Sequence, residues 1–198
     1  MYIIGFTGSP RKQGNTAWVV DAILDGAKKQ GAETHSWYFS DMDIKPCLSC
    51  YGCRKGDLAG ERTRCIIKDD MQNVYDALER ADALILGAPV YMGQMSAQAK
   101  IFMDRLFGCA QFQPRFHPGF KEKDVPKKKL VLVWTQGNPD SDKFQVYYDY
   151  TKTMFQMLEF DVQDVVVVAG MRSGPAHERK DLPPALHDVG ASLVSEHR

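Results

Sequence analysis

The chain has 198 residues, 44% of them hydrophobic and 25% charged. At about 150 residues per domain, this length fits one domain with a modest insertion and gives enough chain to bury a sizeable core. The 25 lysines and arginines cancel the 25 aspartates and glutamates, which removes the cationic footprint that nucleic acid or an anionic membrane would require.

The longest apolar stretches, residues 83–92 and 165–170, fall well short of the ~20 residues that cross a bilayer. The opening Met1-Tyr2-Ile3-Ile4-Gly5 has no basic region of the kind that starts a secretory signal. A soluble, cytoplasmic protein is the expectation. Five cysteines, an odd number in a reducing compartment, argue against a disulfide framework and for metal, redox chemistry or burial.

Residues 2–7 form an apolar run that ends in Gly8-Ser9-Pro10, and from Thr16 to Lys29 the apolar side chains recur at helical spacing. The reading is strand, loop, helix. A weaker strand at 35–39 leads into a segment, 41–68, that is rich in Asp, Gly and Cys and has no period. This segment is expected to be an inserted loop. Asp69 and Asp70 stand where an N-cap and first-turn acids belong, ahead of a helix to about Arg80.

Residues 83–87 are continuously apolar, as in a strand covered on both faces, and Pro89 is expected to end it. A helix at 96–107 and a long aromatic, Pro-rich loop at 111–125 follow. Then come a strand at 130–134, a helix at 144–158, a strand at 162–169 and a last helix at 183–195 within a tail from 171 to 198. Five strands alternating with helices predict an α/β fold over 1–198: a doubly wound parallel sheet with ligands at the carboxyl ends of its strands. The run Lys127-Lys128-Lys129 reads as a solvated strand entrance.

Gly8-Ser9-Pro10-Arg11-Lys12-Gln13-Gly14-Asn15-Thr16 joins the first strand to the first helix, where free N–H groups and the helix dipole favour an anion. Ser9, Asn15 and Thr16 add short donors, Gly14 permits close backbone approach and Arg11 supplies charge. The loop has neither G-x-G-x-x-G nor the Walker G-K-[ST]. An ordinary turn capped by Thr16 is the competing reading. A second loop, Gly87 to Ser96, leaves the third strand at the same edge. There Tyr91 and Met92 offer flat or soft apolar surface, while Gly93 and Gln94 offer amides suited to a heteroaromatic ring such as a flavin.

S-P-R-x2-G-N-T after the first strand, A-P-V-Y-M-G-Q-M-S after the third and K-x-F-x-D-R at 100–105 together resemble the flavodoxin-like NAD(P)H-dependent FMN reductase family. The resemblance covers roughly the first 110 residues, and Thr135-Gln136-Gly137-Asn138 is similar to that family's third flavin loop. It implies a flavodoxin-like fold in which Ser9, Arg11, Gly14, Asn15 and Thr16 hold the FMN phosphate. Pro89, Tyr91, Met92, Gly93 and Gln94, with Thr135, Gln136 and Gly137, would then line the ring. It also implies NAD(P)H as a donor and a homodimer or homotetramer, with the aromatic loop at an interface.

Cys47-x2-Cys50-x2-Cys53, followed by Cys65, resembles the iron-sulfur flavoprotein branch, whose compact cysteine loop also precedes an aspartate pair. Three close thiolates suit the vertices of a [4Fe-4S] cluster, with the fourth ligand from further along. Eleven residues separate Cys53 from Cys65, more than that branch usually keeps. Metal-free cysteines and zinc therefore stay open as alternatives, although no histidine lies in the loop. Cys109 reads as a structural thiol and the five histidines form no ligand or triad spacing.

The expected activity is electron transfer through FMN and a cluster, between a donor such as NAD(P)H or a ferredoxin-like protein and a small-molecule or protein acceptor. No catalytic amino acid is required. The alternatives are a cluster-free FMN or quinone reductase, a non-catalytic flavodoxin-type carrier and an interaction protein with a zinc-stapled loop.

Overall fold

The structure, a computed structural model, describes residues 1–55, 64–108 and 127–195. Cys109, the aromatic loop at 111–125, His117, His197 and the glycines Gly56 and Gly60 lie outside the described residues. Among the described residues no helix is long and apolar enough to cross a membrane.

Five parallel strands, β1 (Tyr2–Thr7), β2 (Glu33–Tyr38), β3 (Ala83–Tyr91), β5 (Lys128–Thr135) and β6 (Phe160–Val168), lie in the order β2-β1-β3-β5-β6. A sixth, β4 (Gln94–Met95), pairs antiparallel with the end of β3. The strand order reverses between β1 and β3, which opens a crevice at their carboxyl ends. The fold is flavodoxin-like.

Alternation along the strands builds a core on each face of the sheet. Ile3, Ile85 and Val133 point toward α1 (Asn15–Lys29) and α5 (Leu182–Ser195). Ile4, Leu84 and Leu132 point toward α2 (Met71–Arg80), α3 (Ala97–Arg105) and α4 (Gln145–Met157). Helices α1 and α5 cross backbone to backbone, because a Cβ on Gly190 would stand 1.9 Å from the Ile23 carbonyl oxygen.

The third strand runs past Pro89 to Tyr91 rather than ending at Gly87. Thr7↔Gly87 is the last pair between β1 and β3, so Pro89 lies beyond the end of β1, and its missing N–H leaves no β1 ladder bond unmade. Strand β6 begins at Phe160 although Asp161, Gln163 and Asp164 interrupt its apolar pattern, and a bulge at Leu130/Val131 shifts its register on β5. The capping expectation for α2 is corrected in detail. Asp70 holds the cap position without a side-chain bond to the helix, and it is Asp69 whose Oδ1 accepts the Met71 N–H at 3.1 Å.

Candidate functional site

Three loops meet at the carboxyl edge of the sheet. Gly8 N–H donates to the Gly87 carbonyl at 2.8 Å, and Ser96 Oγ donates to the Gly8 carbonyl at 2.6 Å, tying the loop after β1 to the loop after β3. Thr16 and Thr135 share a buried hydroxyl–hydroxyl bond of 2.6 Å, tying the start of α1 to the end of β5.

Helix α1 opens with Gly14 as its N-cap, without a side-chain cap and without an acid in its first turn. Its first N–H groups have no intrahelical partner and lie at the positive end of a 15-residue helix. Ser9 is buried beside them, with its Oγ accepting the Arg11 N–H at 3.1 Å. Lys12 is held by Asp41 at 2.5 Å, whereas Arg11 is exposed and has no ion-pair partner among the described residues.

Asn15 Oδ1 accepts the Ala176 N–H at 2.8 Å, so one end of this side chain fastens the segment before α5 and its NH2 stays a donor. The Thr16 hydroxyl is committed to Thr135. Sequence reasoning passed over Thr7, whose buried Oγ1 has no hydrogen-bond partner among the described residues. Its signal was a polar side chain closing an apolar strand just before the glycine. This hydroxyl, the uncapped helix and Arg11 fit an anionic group such as a flavin phosphate.

Beyond Tyr91 the chain reverses through Met92 (φ 50°) and Gly93 (φ 80°), both left-handed, in a two-residue hairpin closed by the pair Tyr91↔Gln94. Glycine takes this conformation freely, while methionine is strained in it. The hairpin presents Tyr91 half-exposed and Met92 fully exposed. Behind it stands an aromatic wall in which Trp134 stacks on Tyr148 with ring centroids 5.0 Å apart. Met95 N–H donates to Tyr147 Oη at 3.2 Å.

In the third loop Gln136 is buried and its side chain is spent internally. Oε1 accepts from Tyr148 Oη, and Nε2 donates to the carbonyls of Asn138 and Asp140. Burial pushes the Tyr148 phenol up to about 12, so it remains a neutral donor. Gln136 therefore shapes the loop. Arg172, another residue missed from the sequence, lays its side chain over Gly137, where a Cβ would stand 2.9 Å from Nε.

The cysteine loop hangs from α2 and α3. Asp69 and Arg105 form a fully inaccessible pair, with Nη1 2.6 Å from Oδ2 and Nη2 3.0 Å from Oδ1. Burial pushes the Asp69 carboxyl up, but bonds from Arg105 and from the Lys45 and Met71 amides more than offset this and hold it below its ordinary range. Burial also works against the Arg105 charge, yet Asp69 keeps the guanidinium pKa raised. The rest of K-x-F-x-D-R is structural too: Lys100 pairs with Asp104 on the surface, and Phe102 sits against Phe6 and Phe39.

Cys47 and Cys50 are exposed, while Cys53 and Cys65 are partly buried. Ser49 and Tyr51, on either side of Cys50, are both left-handed, with φ of 52° and 53°. Burial raises the Cys53 thiol pKa; the Arg54 charge opposes this, and Cys65 and Cys47 add to it. Among the described residues no three Cys, His, Asp or Glu side chains converge tightly enough to hold a single metal ion. Four thiols can serve an iron-sulfur cubane, one thiolate to each iron, or a single tetrahedral zinc ion.

Residues 1–139 match the family model described as NADPH-dependent FMN reductase. An iron-sulfur flavoprotein of Methanosarcina thermophila is 41% identical over 105 residues, 53% of this chain and 52% of the relative. One from Methanocaldococcus jannaschii is 39% identical over 105 residues, 53% of this chain and 51% of the relative. These matched regions thus span about half the length of the curated relatives. Among solved structures, the NAD(P)H:quinone oxidoreductase from Methanothermobacter marburgensis superposes with a TM-score of 0.72 at 18% identity, covering 100% of this chain and 98% of that one.

Proposed function

The chain belongs to the NADPH-dependent FMN reductase family, and from that premise we propose that it is an FMN-dependent oxidoreductase with a second redox centre. It passes electrons between a reduced donor, NAD(P)H or a ferredoxin-like protein, and an acceptor. The second centre is a [4Fe-4S] cluster on Cys47, Cys50, Cys53 and Cys65. The observation that carries the reading is the junction of three loops beside an α1 amino terminus that no side chain caps.

In this reading the N–H groups that open α1, the hydroxyls of Thr7 and Ser9, the Asn15 amide and Arg11 bind the phosphate, and Gly14 allows it close. Pro89, Tyr91, Met92, Gly93 and Gln94 border the ring on one side and Gly137 on another, with Thr16, Thr135 and Gln136 fixing the spacing between loops. Bound FMN supplies electron exchange in pairs or singly, and a cluster supplies it singly. No side chain of this protein acts as nucleophile or general base. The protein works in the cytoplasm as a homodimer or homotetramer and takes redox partners rather than nucleic acid, in keeping with a net charge of zero.

Analysis of FMN, iron and sulfide in anaerobically purified protein tests the reading, with equimolar FMN plus iron and sulfide expected. Exposure of Cys47 and Cys50 favours one second reading, a cluster-free NAD(P)H-dependent FMN or quinone reductase. FMN with no iron would establish it. Protein that refuses added FMN sinks both, and FMN protein that holds no iron and oxidises no NAD(P)H is a carrier.

A further inference from the structure

The cysteine loop has two arms, and both are fastened to one helical turn. On the first arm, Asp70 Oδ2 accepts the Asp43 N–H at 2.8 Å and Asp69 Oδ2 accepts the Lys45 N–H at 2.9 Å. Arg105 Nη1 donates to the Lys45 carbonyl at 2.7 Å, two residues before Cys47. On the second arm, Gln72 Nε2 donates to the carbonyl of Cys65 at 2.9 Å and to that of Ile67 at 2.7 Å. Only the NH2 end of an amide can serve two carbonyls, which fixes how this side chain is turned.

Residues 64–68 belong to no helix or strand, so their backbone has no ladder to set its path. Cys47, Cys50 and Cys53 fall within seven consecutive positions and inherit their spacing from the chain, but eleven residues separate Cys53 from Cys65. Something outside the loop has to place it. Among the described residues Gln72 is the side chain bonded to the Cys65 carbonyl, and its own N–H donates to the Asp69 carbonyl at 3.1 Å. The residue that grips the second arm is thereby joined to the one that grips the first.

We propose that Gln72 is a positioning residue: it holds the Cys65 peptide in register with the Cys47 arm, so that the fourth thiolate reaches the redox centre. The proposal rests on the cluster reading for its purpose, while the positioning itself is a property of the metal-free chain. Asp69, Asp70 and Arg105 set the fixed side of this arrangement. Gln72 sets the side that the long interval would otherwise leave to chance.

The test compares wild type, Gln72→Met, which has similar length and no donor, and Gln72→Lys, which restores an N–H donor at similar reach. In the metal-free proteins, iodoacetamide labelling of each cysteine is followed by mass spectrometry. Gln72→Met is expected to speed Cys65 labelling about fivefold relative to Cys47, the ratio for losing a hydrogen bond of ordinary net strength, and Gln72→Lys to restore it. After anaerobic reconstitution with iron and sulfide, Gln72→Met is expected to yield a three-iron electron paramagnetic resonance signal with FMN affinity unchanged.

Wild-type labelling of Cys65 in folded Gln72→Met overturns the positioning role, as does a Gln72→Lys protein no better than Gln72→Met. If Gln72→Met does not fold, altered Cys65 labelling in folded Gln72→Lys overturns the donor role and wild-type labelling supports it. Wild type that takes up no iron overturns the cluster reading instead, and the labelling comparison still decides the positioning.

Discussion

Thr16 and Thr135, 119 residues apart in sequence, meet hydroxyl to hydroxyl at 2.6 Å in the buried edge of the sheet. The bond locks the first turn of α1 to the last residue of β5, and so sets the distance between the loop read as the phosphate cradle and the third loop. Thr16→Val or Thr135→Val alone leaves one buried hydroxyl unsatisfied and is expected to cost about 1–3 kcal/mol. The double variant removes both polar groups and is expected to be more stable than the sum of the single losses predicts. Urea unfolding of the four proteins checks the cycle, and additive losses would deny the coupling.

Arg11 and Lys12 are adjacent cations with different employment. Arg11→Ala is expected to weaken FMN binding by about 1–3 kcal/mol, the range of a charge-assisted hydrogen bond, while leaving riboflavin binding unchanged. Lys12→Ala is expected to change neither, because Lys12 is engaged by Asp41. Fluorescence titration with both flavins separates the two residues, and an equal loss for Lys12→Ala would put the phosphate elsewhere.

Met92 occupies a left-handed conformation that costs a side-chain-bearing residue about 1 kcal/mol or more. Met92→Asn, suited to the first position of such a hairpin, is expected to raise the melting temperature of the flavin-free protein. It is also expected to lower riboflavin affinity, because the exposed thioether that would face the ring is gone. A rise in stability with no change in affinity would make the strain incidental to flavin binding.

The Asp69 carboxyl has a lower pKa folded than unfolded. The unfolded chain therefore takes up this proton first. The stability contributed by the pair is fully present above the unfolded value of about 4 and is lost as pH falls through the folded one. Asp69→Asn is expected to flatten the acid limb of the stability curve below about pH 4. At neutral pH it is expected to cost about 3–5 kcal/mol, since it strands a buried guanidinium. Denaturant midpoints from pH 2 to 7 test both, and parallel acid limbs would refute the linkage.

The sheet was legible in the sequence because its central strands are continuously apolar; Gly8-Ser9-Pro10 marks the carboxyl end of β1, whereas β3 runs on past Gly87-Ala88-Pro89 to Tyr91. Strand β6 was less so. It lies at the sheet edge, where Asp161, Gln163 and Asp164 can face solvent, and the bulge beside Leu130 breaks the period. The loops that follow β1, β3 and β5 were legible, but the employment of their side chains was not. Thr16, Asn15 and Gln136 look like ligand donors by type and place. Their partners Thr135, Ala176 and Tyr148 are supplied by other elements, which no local spacing announces. Asp69 and Asp70 likewise read as caps and work mainly across the chain.

Fastening both arms of the cysteine loop to residues 69–72 also separates the placement of Cys65 from the length of chain before it. Closing a loop costs entropy that grows only as the logarithm of its length, about 0.6 kcal/mol for each doubling. With the landing point fixed on α2, an insertion or deletion between Cys53 and Cys65 changes that small term and leaves the thiol where it was. The length of the interval is then a weak constraint, and spacing alone is a poor guide to whether the four cysteines act together.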